Sequence, residues 1–442
     1  VVYVDGFACS IASVIAMAGD EVVMPRNTLM MIHNMLLSTY GNAAELRKAA
    51  DDLDIINAAG RQAYLQKAGG KLSEEQLAEM MDAETWLTAE QCVELGLADR
   101  LAETDADMTG AVEVEGTSRL ISYSSSKQIN RVNGVSLTGL TAGSTYYYRV
   151  GDGSVWSDVR SFTVPAAEKQ TRFFLLADIQ EEAALEGMGR IAGCLGGQYH
   201  FGVQLGDAVD NVRYYNQWQD ALSLFTVDGL KNSDILHVIG NHEADDDGNG
   251  AIAAKTTFGI PAAWYSVERG DVYIAVLNHT SNKDSLQQFA DWLVADAAKS
   301  DCVWKVLVTH VPAYYTNPTG GGETYNQYLP AACDAAGIDF YFSGNDHSYA
   351  RTAPMTDGQV NEAGTVYYIC GSTGGKSYSI VNNPDFNFEV ATLDFTSVYM
   401  DFTADKYEAT VTTYNVAADG SRTVLDQYMR IVPECENDEH TY

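Results

Sequence analysis

The chain has 442 residues, 46% hydrophobic and 20% charged. That composition is globular and excludes a disordered chain, a collagen-like fibre and a small disulfide scaffold. Acidic residues outnumber basic ones by 60 to 27, and the resulting charge of −33 repels nucleic-acid phosphates and anionic membranes, so neither is an expected partner.

At roughly 150 residues per domain, the length predicts about three domains. No apolar run reaches the roughly 18 residues of a spanning helix; the longest candidate, 11–18, runs straight into Gly19-Asp20-Glu21. The chain begins at Val1 inside a strand-like stretch, so sequence upstream is expected, and a signal peptide is neither seen nor excluded. The cysteines (Cys9, Cys92, Cys194, Cys302, Cys333, Cys370 and Cys435) are scattered without CxxC spacing and read as mostly buried thiols.

Residues 1–103 read as mostly helical. A helix is expected over 43–67, with Leu46, Ala50, Leu53, Ile56 and Tyr64 at helical spacing. A second is expected over 73–81, capped by Ser73 with Gln76 three residues on, and a third over 88–95, stopped by Gly96. A polar linker, Thr104-Asp105-Ala106-Asp107, opens a β module over 104–165, with strand-like 146–150 and 159–164. From 166 to 433 short apolar strands alternate with helices, which predicts a layered α/β domain. Its candidate strands are 172–177, 202–205, 235–240, 272–277, 305–309, 340–343 and 366–370, followed by 388–395, 399–403 and 409–414. Residues 434–442 form a tail.

In the α/β segment, polar ligand types follow successive strands: Asp178, Asp207, Asn241-His242, His310 and Asn345-Asp346-His347. Ligands bind outside the carboxyl ends of strands in open α/β sheets. Two divalent metals about 3.5–4 Å apart need a bridging carboxylate and terminal N/O ligands, and such a pair would offset the acidic surface for an anionic substrate.

These motifs, Ala177-Asp178-Ile179-Gln180, Gly206-Asp207 through Asn211, Gly240-Asn241-His242-Glu243, Val308-Thr309-His310 and Gly344-Asn345-Asp346-His347, resemble the calcineurin-like metallophosphoesterases of the purple acid phosphatase type. The β module, through 137–140 and 145–152, resembles the fibronectin type III domain of the same family. The resemblance covers about 110–433. It implies a four-layer α/β/β/α domain after a partial fibronectin III-like β-sandwich, hydrolysing small phosphate monoesters with two divalent ions (Mn, Zn or Fe). It implies Asp207 as bridge, Asp178 and His347 on the first metal, Asn241 and His310 on the second, and His242 as general acid or phosphate-orienting group. Three positions depart from the pattern. Asp210 replaces a tyrosinate, Gln180 stands where many relatives carry His, and Asn345 replaces a His on the second metal; Gln180 and Asn345 can still ligate through oxygen.

His200 and His237 read as structural, whereas His279, after a strand, leaves a role near the substrate open. Tyr314, Tyr315 and Tyr349 are expected as pocket walls. The run Gly320-Gly321-Gly322 reads as a mobile loop rather than a phosphate cradle.

Near the N-terminus, Ser10 follows a glycine turn and enters a helix, His33 offers a base, and Glu84 or Asp82 an orienting carboxylate. The stretches DGFACSIASVIAMAG, PRNTLMMIHN and 84–99 resemble Clp-type serine peptidases, especially phage head-maturation members. The resemblance implies a partial Clp/crotonase-like α/β segment, Ser10 as nucleophile, His33 as base, Glu84 before Asp82 as third member, and homo-oligomers formed through this segment. It covers only the second half of such a domain, without the glycine pair that supplies oxyanion donors. Losing those donors costs about 2.7–4 kcal/mol of transition-state stabilisation, so no peptidase activity is expected. The part-domains meeting near 103–108 read as a fused or misassembled frame rather than a bifunctional enzyme. The compartment follows whichever half dominates: exported for the phosphatase part, cytoplasmic for the Clp-like part.

Overall fold

In the computed structural model, which describes every residue except 1, 5, 6, 26, 27, 38, 40, 102–110, 124–127, 158, 165–169, 181, 196–198, 228, 229, 231, 232, 245–248, 382 and 433–442, the N-terminal helix signals hold. The expected linker at 104–107, the tail, Cys435 and the Asp5-Gly6 turn lie outside the described residues.

The chain divides into two units, Val1–Val112 with Tyr147–Arg160, and Glu113–Tyr146 with Ser161–Tyr442. The first contains β1 (Val2–Tyr3), β2 (Phe7–Cys9), α1 (Ile11–Ala16), β3 (Val22–Met24), β4 (Leu29–Ile32), α2 (Ala43–Ala68), α3 (Glu74–Asp82), β5 (Thr85–Thr88), α4 (Ala89–Leu95) and β6 (Arg100–Leu101). Reciprocal bonds between Ser73 and Gln76 start α3, and Thr88 and Gln91 do the same for α4. Two small sheets, β1-β3-β6 and β2-β4-β5, enclose a core of Val22, Met24, Met30, Ile32, Leu77, Leu87, Cys92 and Leu97. The apolar stripe expected on α2 is not a core face along its length. Leu46 is 44% and Ile56 50% exposed, and burial begins only at Gly60, Tyr64 and Ala68, because the small sheets meet only the end of the helix.

β7 (Thr117–Tyr123) and β8 (Gln128–Gly134) form an antiparallel hairpin, and β9 (Thr145–Tyr148) and β10 (Arg160–Thr163) follow. Tyr146 stacks on Phe162. None of the residues 111–120, 131–157 and 159–164 is buried.

The remaining elements build the layered domain. They are β11 (Thr171–Leu176), α5 (Glu182–Leu195), β12 (Phe201–Gln204), α6 (Tyr215–Leu224), β13 (Ile235–His237), α7 (Asn249–Phe258), β14 (Trp264–Arg269), β15 (Val272–Leu277), α8 (Lys283–Ala297), β16 (Trp304–Thr309), α9 (Gly322–Ala336), β17 (Phe340–Ser343), β18 (Tyr349–Thr352), β19 (Met355–Thr356), β20 (Gln359–Val360), β21 (Val366–Cys370), β22 (Phe388–Thr392), β23 (Val398–Ala404), β24 (Glu408–Val416) and β25 (Arg422–Ile431). One sheet runs β13-β12-β11-β23-β24-β25, the other β14-β15-β16-β17-β21-β18-β22. Phe173, Val203, Phe402 and Val411 from the first sheet pack with Ile274, Val306, Phe342 and Tyr368 from the second in one inner core. The opposite faces are covered by α5, α6 and α7 (Met188, Trp218, Ala254) and by α8 and α9 (Phe289, Leu293, Leu329). This is the expected α/β/β/α order, and near-continuous apolar strands follow from burial on both faces.

Of the described cysteines, Cys92, Cys333 and Cys370 are buried, but Cys9, Cys194 and Cys302 are partly exposed, fewer buried than expected. Among the described residues no helix is long and apolar enough to cross a membrane.

Candidate metal centre

Parallel pairing aligns the ends of β11, β12 and β13 in one sheet and of β15, β16 and β17 in the other, so the loops after them converge. Asp178, Asp207, Asn345 and His347 all adopt left-handed backbone conformations, with φ of 53°, 56°, 68° and 50°. Only a few per cent of non-glycine residues adopt this conformation, Asp, Asn and His more readily than others, and sparsely populated backbone regions cluster at active sites. Gly240 lets the chain pass, since a Cβ there would lie 2.0 Å from Asp207 Oδ1.

Asp178, Asp207 and His310 bring ligand atoms within 4.8 Å of one another and are all buried. His310 Nε2 lies 3.2 Å from Asp207 Oδ2 and 2.9 Å from Asn241 Oδ1. His347 Nε2 lies 3.3 Å from Asp178 Oδ1. In both rings Nδ1 faces a backbone carbonyl, of Leu205 at 2.8 Å for His310 and of Lys376 at 2.9 Å for His347. A neutral ring donating from Nδ1 turns its Nε2 lone pair toward these oxygens, the orientation in which a cation between them would be held. Without a cation the ring itself takes up the positive charge. Burial opposes charge on His310, yet Asp207, reinforced by Asp178, pushes its pKa up to about 10. Gln180 Oε1 is buried without a partner, while its Nε2 reaches Asp207 Oδ2 at 3.4 Å. An unclaimed oxygen beside two carboxylates and two imidazoles fits a divalent-cation site, and the oxygen-rich donor set favours harder ions.

His242 sits at the mouth. Its side chain is 27% exposed, its Nδ1 lies 2.5 Å from Asp210 O, and its Nε2 is 3.7 Å from Asp207 Oδ2. Asp210 thus meets His242 through its backbone carbonyl and, with Oδ1 3.5 Å from Nδ1, through its carboxylate. The cavity holds about 350 Å³ and is lined by Asp207, Asn241, His242, Asn317, Thr319, Gly320, Gly321, Asn345, His347 and Tyr378.

Glu243 carries a role that sequence reasoning left unassigned. It is buried, and its carboxylate accepts from the backbone N–H groups of Asp207, Val209 and Gly240 at 3.0, 3.0 and 2.8 Å. Burial, with the Asp207 charge added, raises its pKa to about 7. A carboxylate directly after Asn241-His242 was the available signal. Asn278 similarly holds Ile239 N and Ala262 O, each at 2.8 Å.

The tyrosines expected as walls pack elsewhere. Tyr314 and Tyr315 stack edge-on against Phe386, and Tyr349, on a strand between sheet neighbours, donates to Asp426. The wall aromatic is Tyr378, whose ring centroid is 5.0 Å from that of His347. The glycine run opens α9, with Gly321 as N-cap at φ 86°, a conformation glycine adopts freely. His279 stacks on Tyr325 and is absent from the cavity lining; burial drives its pKa down to about 4.

In the first unit His33 Nε2 lies 2.8 Å from Ser10 Oγ, and Ser10 has φ 58°. Glu84 is exposed with φ 49°, and Asp82 Oδ1 accepts from Asn34 Nδ2 at 2.5 Å.

Residues 171–349, the segment carrying this site from Asp178 to His347, match the family model for calcineurin-like phosphoesterases. The segment is a calcineurin-like phosphoesterase domain. Residues 86–164 match the model for the purple acid phosphatase N-terminal domain, and residues 1–105 that for Clp protease. The phosphoesterase-bearing chain is similar to purple acid phosphatase 21 of Arabidopsis thaliana, 30% identical over 118 residues (26% of this chain, 27% of the relative). It is also similar to purple acid phosphatase 23 of the same plant, 24% identical over 300 residues (57% of this chain, 65% of the relative). The chain spans about a quarter, 27%, of the length of the first curated relatives it matches. A purple acid phosphatase from yellow lupin (Lupinus luteus) seeds shares the fold, with a TM-score of 0.62 and 17% identity over 72% of this chain and 66% of that one.

Proposed function

We propose that the phosphoesterase domain hydrolyses small phosphate monoesters with two divalent cations, of the Mn, Zn or Fe class. Asp178, Gln180, Asp207 and His347 would hold one, and Asp207, Asn241, His310 and Asn345 the other. The observation carrying this reading is the pair of imidazoles whose Nε2 atoms face carboxylate and amide oxygens at 2.9–3.3 Å. When bound, the cations would supply charge to polarise phosphoryl oxygens and lower the pKa of a water. The chain's own residues do the rest. Glu243 holds the loops of Asp207 and Asn241 in place. His242, oriented through Nδ1 by the Asp210 carbonyl, presents Nε2 to the cavity and passes a proton to the departing alcohol. Protein supplied with Mn²⁺ or Zn²⁺ should release phosphate from an aryl phosphate, and Asp207→Asn should abolish it. Equal rates in the variant, or no metal uptake by elemental analysis, reject the assignment.

The Ser10–His33 approach at 2.8 Å favours a second reading, a serine hydrolase of the Clp type. Its support is thinner, because Asp82 is engaged by Asn34 and Glu84 is exposed. We expect a fluorophosphonate probe to leave Ser10 unlabelled; labelling of the folded protein would establish the second activity. Exposed Phe7, Ile11, Ile15 and Trp86 support self-association through this unit, which light scattering would detect.

A further inference from the structure

The residues beside His347 grip the loop that walls the cavity. Asp346 is fully buried, and its Oδ2 accepts from Thr316 N at 2.7 Å, Asn317 N at 2.8 Å and Thr316 Oγ1 at 3.2 Å. Its Oδ1 accepts from Asn345 Nδ2 at 2.9 Å. Asn345 Nδ2 donates a second time, to Gly320 O at 3.1 Å. The loop approaches so closely that a Cβ on Gly320 would lie 2.4 Å from Asn345 Nδ2 and 3.0 Å from Asp346 Oδ1. The segment held this way contributes Asn317, Thr319, Gly320 and Gly321 to the cavity wall, facing His242 and Tyr378 as co-liners.

A buried carboxylate is stable only when its lone pairs are satisfied, and here most of its donors come from the loop. Opening the loop would strand that charge, so the bonds act as a latch. The amide of Asn345 has two N–H groups, and both are used on acceptors. Its oxygen is the polar atom left for the cavity. A histidine in its place has one N–H beyond a ligating nitrogen and could not serve both Gly320 O, on the loop, and Asp346 Oδ1, the carboxylate that grips it. The replacement of histidine by asparagine therefore exchanges a ring nitrogen for a connector with one end in the ligand shell and one in the wall.

We propose that Asn345 is a positioning residue that, with Asp346, latches the 316–321 loop over the cavity, so that cation binding and closure of the substrate wall reinforce each other. This rests on the phosphoesterase reading.

Hydrogen exchange of a peptide spanning 316–322, followed by mass spectrometry on the full chain with and without Mn²⁺, tests it. The wild-type peptide should be protected, more so with Mn²⁺. Asn345→His should keep manganese uptake yet exchange faster in that peptide, and Gly320→Ala, which leaves every proposed ligand intact, should do the same. For an aryl phosphate Gly320→Ala should raise KM roughly tenfold while kcat stays within about threefold, the signature of lost wall contacts shared by ground and transition states. Unchanged exchange in both variants, or a fall in kcat with KM unmoved in Gly320→Ala, overturns the latch. Failure of the wild type to take up manganese would sink the phosphoesterase reading instead, and faster exchange in metal-free Gly320→Ala would still uphold the latch itself.

Discussion

Ser10 and His33 on one side, and the Asp178–His347 constellation on the other, both bring reactive groups within about 3 Å. They differ in what stands behind them. His33 meets Ser10 at an edge where Phe7 and Trp86 are exposed and the neighbouring Asp82 is engaged by Asn34. His310 and His347 are buried, each fixed by a backbone carbonyl, and the loop of Asp207 is stitched by Glu243. Contact between two functional groups is a weak signal; contact held by buried, fully bonded partners is a strong one, because the support sets orientation before a ligand arrives.

The comparison breaks first at Asp207. Asp207→Asn should remove metal uptake and phosphate release together, and retention of both would leave the two regions on equal footing. Glu243→Gln should next lower metal affinity by about 10–100-fold, as removal of an outer partner does, measured by calorimetric titration with Mn²⁺. The same rule applies away from the site. Arg351 is buried against Asp426 at 2.6 Å and Glu389. Arg351→Met should destabilise by about 3–5 kcal/mol in urea unfolding, since it leaves Asp426 without its countercharge. His237, stacked on Phe258 and edge-on to Phe225, has its pKa lowered by burial from 6.5 to about 3. The unfolded chain therefore binds the proton more readily. Stability should be complete above pH 6.5 and fall by about 1.4 kcal/mol per pH unit below it, levelling off near pH 3. His237→Phe should flatten that acid limb. The smallest effect belongs to the first unit, where Ser10→Ala should leave phosphate release unchanged.

Most strands of the phosphoesterase domain were legible because both of their faces are buried, which leaves short apolar runs ending in polar loops. β14, β18, the short β19 and β20, and β25 escaped. β14 mixes polar Ser266, Glu268 and Arg269 into a half-buried edge, and β25 alternates Val424, Asp426 and Met429 along another edge. β18, Tyr349–Thr352, reads as a continuation of the ligand loop before it. The helix over 43–68 was legible as a helix, but its stripe from Leu46 to Ile56 promised a core that its unit does not supply.

Ligand identity lay in the local sequence: a carboxylate, amide or imidazole after each strand, in an order that few other chemistries require. Strand periodicity also predicted the layered architecture around them. The supporting bonds did not lie there. Glu243 to Asp207, Asn278 to Ile239, and Asn345 to Gly320 join residues up to 39 positions apart. Only chain packing decides which distant backbone groups lose water and must be satisfied by these side chains.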